Sequence, residues 1–381
     1  MNQPAHSALG ASGMHRWANC PGSVTLCEGI PPQPASESAL RGTALHEIAA
    51  LCLTKGNNPD EFIDTYWEVE GVNVHIELED IEIVKEYIRT VRVDFIFSAF
   101  ANDEPATLIV EERFSLPRFD ARMFGTVDAA IIEPKALRVY DLKTGHHEVE
   151  AAGNLQLLYY ALSIIHNRYR DVPPHIELII VQPKAGGVKR AVISYAEYSE
   201  FQLTLAKAVN AVNTQKDKLV AGDWCHFCPA KPHCPAIQAA VNHAATVDFT
   251  ALANEQLGEQ LAFIKDVVEP YCKAINEHAQ RLAERGTHIP GWKLVEKRAT
   301  RKWSDANAAI SRLAECGVPE DKYLAVDVKG PAAIEKAIGK KNFAALPITD
   351  LIVKESSGTT LAPESDPRPA YTETLLKPLE D

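Results

Sequence analysis

Residues 127–145 constrain this chain more than any other stretch. They read Val-Asp-Ala-Ala-Ile-Ile, a short turn, and then Leu-Arg-Val-Tyr-Asp-Leu-Lys-Thr-Gly. The apolar runs predict two neighbouring strands with a turn at Glu133-Pro134-Lys135-Ala136. Side chains two apart on a strand share a face, so Asp141 and Lys143 project together and a hairpin brings Asp128 alongside. Acidic side chains are seldom buried without a partner or a metal, yet here they interrupt apolar strands. Two carboxylates make a hard oxygen site suited to Mg²⁺ or Mn²⁺, and a lysine beside them can polarise a water or hold a phosphate. Those are the groups that phosphodiester cutting requires. The competing reading is a solvated strand face, which is what an isolated Asp-x-Lys usually is.

A chain of 381 residues has room for two or three domains and a sizeable core. With 46% apolar and 24% charged residues it reads as an ordinary globular protein. No apolar run reaches membrane-span length and no basic-then-apolar leader opens the sequence, so the expectation is a cytoplasmic protein without membrane contact. The net charge of −12 argues against a generic nucleic-acid coat protein. It does not exclude a nuclease, because the distribution of charge governs binding more than its sum. One basic stretch stands out: Lys293, Lys297, Arg298, Arg301 and Lys302, interleaved with Trp292 and Trp303. It reads as a solvated loop or strand pair with its aromatics turned inward, or as a grip for DNA.

The pattern along the chain predicts a flexible start over 1–11, a short helix in 12–27 ending at Cys20-Pro21, and a Pro- and Ser-rich loop over 28–38. Thr43 is a plausible N-cap for a helix with Leu45, Ile48, Ala49, Cys52 and Leu53 on its apolar face. A second helix covers 79–100. Strands follow at 107–115, 123–133 and 137–143, then a helix over 150–166, a strand over 176–181 and a helix over 196–219. This order describes a mixed α/β core. Beyond 245 the composition changes, with a long helix over 254–286 and short helices near 304–315 and 331–345. The expected domains are 1–245, carrying the α/β core, 246–353, mainly helical with the basic segment, and 354–381, an extended or disordered tail. No G-x-x-x-x-G-K-[ST] occurs, so no P-loop motor is built in.

Eight cysteines in an intracellular chain do not suggest a disulfide framework. Cys27, Cys52, Cys272 and Cys316 are scattered singly, and Cys52 and Cys272 sit in helical patterns where a small buried hydrophobe is expected. Cys225, Cys228 and Cys234 fall within ten residues and read as a metal site. The fourth ligand is Cys20, His226 or His233. Cys20, Cys228 and Cys234 are each followed by proline, which favours Cys20 and an iron–sulfur cluster over structural zinc. Either metal would clasp the N-terminal segment to the end of the α/β core.

In order and spacing the motifs resemble the PD-(D/E)xK nuclease superfamily and, within it, the RecB-like branch. Arg41-Gly42-Thr43-Ala44-Leu45-His46 is similar to the helix that carries that branch's metal-binding histidine. Gly125-Thr126-Val127-Asp128 resembles its Gly-x-x-Asp strand, and Asp141-Leu142-Lys143-Thr144-Gly145 its Asp-x-Lys-Thr-Gly core. Gln156-Leu157-Leu158-Tyr159-Tyr160 resembles the helix motif that follows. Cys20 with Cys225, Cys228 and Cys234 is similar to the iron–sulfur arrangement of AddB-type and CRISPR-adaptation nucleases. The match spans about 12–240, and the chain also resembles phage or prophage proteins of this type.

The resemblance implies a restriction-endonuclease-like core, a mixed central sheet flanked by helices, with a four-cysteine metal-cluster clasp and a mainly helical C-terminal region. It implies that His46, Asp128, Asp141 and the Leu142 carbonyl bind Mg²⁺ or Mn²⁺. Lys143 would position or activate the attacking water, and Gln156 and Tyr160 would orient the lysine or contact DNA. The four cysteines would hold a 4Fe-4S cluster, with Zn²⁺ as the alternative. Glu111 or Glu112 could add an interaction, but alternation does not choose between them. The implied activity is a metal-dependent deoxyribonuclease, an exonuclease on single-stranded or end-bearing DNA in phage or prophage recombination or replication. It would act in the host cytoplasm beside a separate helicase or recombinase. The alternative is a non-catalytic or redox-sensitive DNA-binding or partner-bridging module on the same fold.

Overall fold

The computed structural model describes residues 7–31, 35–101, 106–323, 329–355, 358–363 and 366–371. The chain divides into two units, Met1–Tyr271 and Cys272–Asp381. In the first, short helices α1 (Met14–Asn19) and α2 (Ser23–Glu28) precede α3 (Glu37–Lys55). A hairpin of β1 (Thr65–Val69) and β2 (Val72–Ile76) leads into α4 (Leu78–Ala101). The central strands are β3 (Thr107–Ser115), β4 (Phe124–Glu133) and β5 (Ala136–Leu142). Then come α5 (Leu155–Arg168), β6 (His175–Gln182), β7 (Gly187–Ile193) and α6 (Tyr195–Thr214).

The five strands lie in the order β3-β4-β5-β6-β7, all antiparallel except the β5–β6 pair. A parallel neighbour requires a crossover, and α5 supplies it. The sheet is buried on both faces, which is why β5 and β6 are nearly continuous apolar runs. Ile109, Val139, Leu178 and Ile180 pack with α1, α5 and α6. Ala129, Ile131, Tyr140, Leu142, Ile179 and Val181 pack with α3 and α4. This is the mixed α/β architecture expected, a five-stranded sheet flanked by helices.

Several boundaries differ from expectation. Helix α3 starts six residues before Thr43, at Glu37, because Ser36 accepts the Ala39 amide as its N-cap. Thr43 instead bonds back to the Ala39 carbonyl within the helix. Residues 7–11 are packed rather than loose: Leu9 and Ala11 are buried, and Leu9 and Gly10 carbonyls accept from Tyr159 and Trp17. The first six residues lie outside those described.

The first unit ends in α7 (Pro235–Ala244), α8 (Asn254–Phe263) and the start of α9 (Glu269–Glu284), the last two joined by a π-helical turn. In the second unit, β8 (Trp292–Glu296), β9 (Thr300–Trp303), α10 (Ala306–Glu315) and α11 (Glu320–Tyr323) precede α12 (Pro331–Ile338) and α13 (Lys340–Ala344). Strand β9 pairs with β10 (Ile352–Glu355) and β8 with β11 (Thr359–Pro363). Leu313, Tyr323, Ile334, Phe343 and Ile348 form a small core there. The basic stretch is thus two strands. Trp303 turns inward, donating to the Lys329 carbonyl, whereas Trp292 is exposed. Among the described residues no helix is long and apolar enough to cross a membrane.

Candidate active site and metal centre

Six elements, α3, α4, α5, β3, β4 and β5, contribute to one site on the central sheet. Helix α3 is fixed to α4 by an ion pair between Arg41 and the buried Asp80. It also approaches the strand-end loop closely, since a Cβ on Gly42 would lie 3.3 Å from Thr144 Oγ1. This docking sets His46 Nδ1 3.3 Å from Asp128 Oδ2 on β4. The same Asp128 oxygen accepts the Leu142 amide at 2.9 Å, which ties β4 to the end of β5.

Glu111 completes the group, and strand alternation could not have found it. Val110 lies opposite Ala129 and Glu112 opposite Val127, so Glu111 stands opposite Asp128 where the ladder is interrupted. Its φ of +49° is a left-handed conformation that few non-glycine residues adopt. That twist shifts the alternation: Ile109 and Phe114, five apart, both reach the core containing α5. Ligand atoms of His46, Glu111 and Asp128 all lie within 4.8 Å of one another. Glu112 points elsewhere and pairs with Arg168.

The other expected residues form an adjoining chain of contacts. Lys143 Nζ lies 2.7 Å from Asp141 Oδ2 and donates to Gln156 Oε1 at 3.1 Å. Gln156 Nε2 donates to Asp141 Oδ1 at 2.8 Å and to Tyr160 Oη at 3.3 Å. Gln156 stands in the first turn of α5, whose start is fixed by the Asn154 cap. Tyr160 crosses β4 where Gly125 has no side chain, since a Cβ there would meet its ring at 3.0 Å. Asp141 falls outside the 4.8 Å group, and Leu142 contributes its amide to Asp128. Of the four metal ligands implied by the resemblance, the geometry therefore groups His46 and Asp128, and adds Glu111.

The charges in this pocket depend strongly on one another. Burial disfavours the His46 imidazolium, but Asp128 outweighs it and lifts His46 to about 9. Burial raises Asp128, and the charge and hydrogen bond of His46, the Leu142 amide and Lys143 together more than reverse it, holding that carboxylate below its ordinary value. Burial, with Asp128 beside it, pushes Glu111 up to about 7. Asp141 is also raised, burial prevailing over Lys143. Burial opposes the Lys143 charge, yet Asp141 keeps that ammonium protonated above its ordinary range. Lys143 is therefore a cation here, suited to holding a phosphate or water oxygen rather than accepting a proton.

Among the described residues one buried side-chain polar atom has neither a hydrogen-bond nor an ion-pair partner, Tyr87 Oη. Asp141 Oδ2 is held by the Lys143 ammonium at 2.7 Å. Tyr87, on α4, is deeply buried, and its hydroxyl is kept protonated by burial and by Asp128, Asp141 and Glu111. Unsatisfied buried polar atoms are rare and costly. One beside this acidic pocket fits a site that takes up a hydrated cation. Tyr87 was hidden in the sequence as one more apolar-face residue of a long helix.

The cysteines form a second cluster in the unit. Cys20, Cys225, Cys228 and Cys234 are all buried, and Cys20 Sγ accepts the Val220 amide at 3.3 Å. Cys27, grouped in the sequence with the scattered cysteines, belongs here too: its sulfur lies 3.9 Å from Cys228 Sγ and 3.5 Å from an Arg16 donor. The hydrogen bond with Cys228, reinforced by Arg16 against burial, draws the Cys27 thiol down to about 6. Cys52 is buried as expected, but Cys272 is exposed on α9.

A family model matches residues 6–369. The chain belongs to that family, described as "Protein of unknown function (DUF2800)". Among solved structures, the chain has 12% identity and a TM-score of 0.34 to a protein of Eubacterium rectale designated a candidate exonuclease, over 57% of this chain and 88% of that one. A second, SSO0001, shares 10% identity at a TM-score of 0.24, over 58% of this chain and 96% of that one. Likenesses at that level carry no argument; the DUF2800 assignment stands on the sequence match, and the chemistry must come from the pocket itself.

Proposed function

We propose that this DUF2800 protein is a metal-dependent DNA nuclease, an exonuclease that hydrolyses phosphodiester bonds of single-stranded or end-bearing DNA in phage or prophage recombination or replication. One observation carries the reading: the acidic pocket combines a three-residue ligand group with an unpartnered buried hydroxyl and a charged lysine. Bound Mg²⁺ or Mn²⁺ would supply Lewis-acid neutralisation of charge on the phosphate. His46, Asp128 and Glu111 would hold the ion, with Tyr87 Oη available to its waters. Lys143 donates to a phosphate oxygen or to the attacking water. Gln156 holds Lys143 through one amide atom and Asp141 through the other, so the ammonium cannot swing away.

In this reading Cys20, Cys225, Cys228 and Cys234 hold a 4Fe-4S cluster as a structural clasp. The prolines that follow Cys20, Cys228 and Cys234 support it over zinc.

The test is cleavage of end-labelled linear and circular DNA, single- and double-stranded, by anaerobically prepared protein with Mg²⁺ or Mn²⁺. Metal-dependent cutting of linear substrate, lost in Asp141→Ala and Lys143→Ala, is expected. Full activity in both variants would sink the site assignment. A folded, metal-loaded wild type that binds DNA without cutting would favour the non-catalytic module.

A further inference from the structure

Cys225 and Cys228 bracket two residues, His226 and Phe227, that the chemistry above does not use. Phe227 is 80% exposed, the second most exposed of the large hydrophobic side chains described. Its ring packs edge-on against His226 at 4.5 Å between centroids. On its other side His226 lies nearly parallel to His147, with 12° between the planes and centroids 6.3 Å apart. Three aromatic rings thus form one surface, drawn from the cysteine loop and from the loop that leaves the catalytic strand.

Both loops are held from beneath. The buried Gln182, last residue of β6, donates to the Gly145 and His147 carbonyls at 2.9 and 2.7 Å and accepts the Val149 amide at 2.9 Å. In the cysteine loop, His226 and Cys228 amides donate to the Asp223 and Cys225 carbonyls, and the flanking cysteines are buried. Phe227 therefore cannot fold back into the core between its two anchored neighbours. His147 follows Lys143 by four residues, a span of at most about 14 Å. That is roughly four base steps of stacked nucleic acid.

We propose that His147, His226 and Phe227 are a base-stacking platform that seats single-stranded DNA a few nucleotides from the metal pocket. The inference rests on the nuclease reading for the identity of the ligand. Residues 1–271 carry 22 Lys and Arg against 35 Asp and Glu, a sum that does not attract a polyanion, so DNA binding there depends on local groups. Stacking is indifferent to sequence and to net charge, because every base has a π-face. The two loops then have a shared task, since the clasp fixes the ring that the catalytic loop completes.

The experiment is fluorescence anisotropy of labelled oligothymidine with the full, metal-loaded chain in a Lys143→Ala background, comparing Phe227 with Phe227→Ala, Phe227→Leu and Phe227→Trp. Metal content and far-ultraviolet circular dichroism are checked for each. Affinity should fall about tenfold in the Ala and Leu variants and return in the Trp variant, whose indole emission should be quenched by the oligonucleotide. Equal affinity of all four, or Leu matching Phe, overturns the platform. Self-association lost in Phe227→Ala, with DNA affinity intact, assigns the surface to a second copy and also overturns it. Cleavage by protein with native Lys143 is scored separately. A wild type that cuts while Phe227 variants bind unchanged retires the platform alone. One that binds through Phe227 without cutting retires the nuclease reading alone.

Discussion

The two clusters of ligating side chains in the first unit are built in opposite ways. The acidic pocket takes its members from α3, α4, α5 and three adjacent strands, and most of them are already bonded to one another. The cysteine cluster draws on α2, a 3-10 turn and connecting loops, joining residues some 200 positions apart. In the proposed reading the first is a socket on a rigid scaffold that an ion would complete. The second would be a tie, in which a metal adds to a small apolar core around Ile237 and Val267. Stripping metal from the socket should stop chemistry and leave the fold; stripping it from the tie should loosen the fold itself.

That contrast can be broken most sharply at Asp128. Asp128→Asn should lower cleavage on the order of 10³-fold while the melting temperature moves by no more than about 3 °C, roughly one kcal/mol for a domain this large. A large loss of stability instead would make the pocket structural too. The reverse pattern is expected at Cys228→Ser. Its melting temperature should drop by about 5 °C or more, with cleavage per folded molecule changed less than about tenfold. Calorimetry paired with single-turnover assays separates the two cases.

The pocket should also show its proton in metal binding. His46 is protonated below about 9 and must lose that proton to ligate. Mn²⁺ affinity should therefore rise with pH by about tenfold per unit between 7 and 9, and titration calorimetry in buffers of different ionisation enthalpy should count the proton released. Metal-free protein should do the opposite. Folded His46 binds its proton more tightly than the unfolded chain does, so the stability it contributes is complete below about 6.5 and is lost as pH rises through about 9. Glu111, raised to about 7, adds a decline of the same sign at lower pH. The smallest effect sharpens the assignment of the acidic pair. Glu111→Gln should weaken Mn²⁺ binding by about tenfold, whereas Glu112→Gln loses an ion pair with Arg168 worth at most about 1 kcal/mol.

Strands β3 to β6 and their helices were legible because both sheet faces are buried, so their apolar runs stand out from the polar turns. Edge strand β7 was not, since Gly187–Ile193 alternates with Lys189 and Arg190 and lacks a continuous run. The hairpin β1–β2 is short and polar on one side for the same reason. In the pocket, contacts link Asp128 with His46 and Asp141 with Lys143, Gln156 and Tyr160. Of these, Asp128, Asp141 and Lys143 could be picked out by strand spacing and His46, Gln156 and Tyr160 only by the resemblance. Glu111 could not, because one left-handed residue reverses the phase on which any strand argument depends. Cys27 lacks the following proline that marked its neighbours, and only the packing of α2 reveals its place.

The Cys20–Val220 contact sets a timetable. A ribosome adding about 5–20 residues per second makes Cys20 roughly 10–40 s before the backbone it will bond. During that interval Cys20 and Cys27 are unprotected thiols, and Trp17, wholly buried at the end, has only part of its cover. If the four cysteines hold a metal as proposed, the ligand set is complete only once residue 234 has left the exit tunnel.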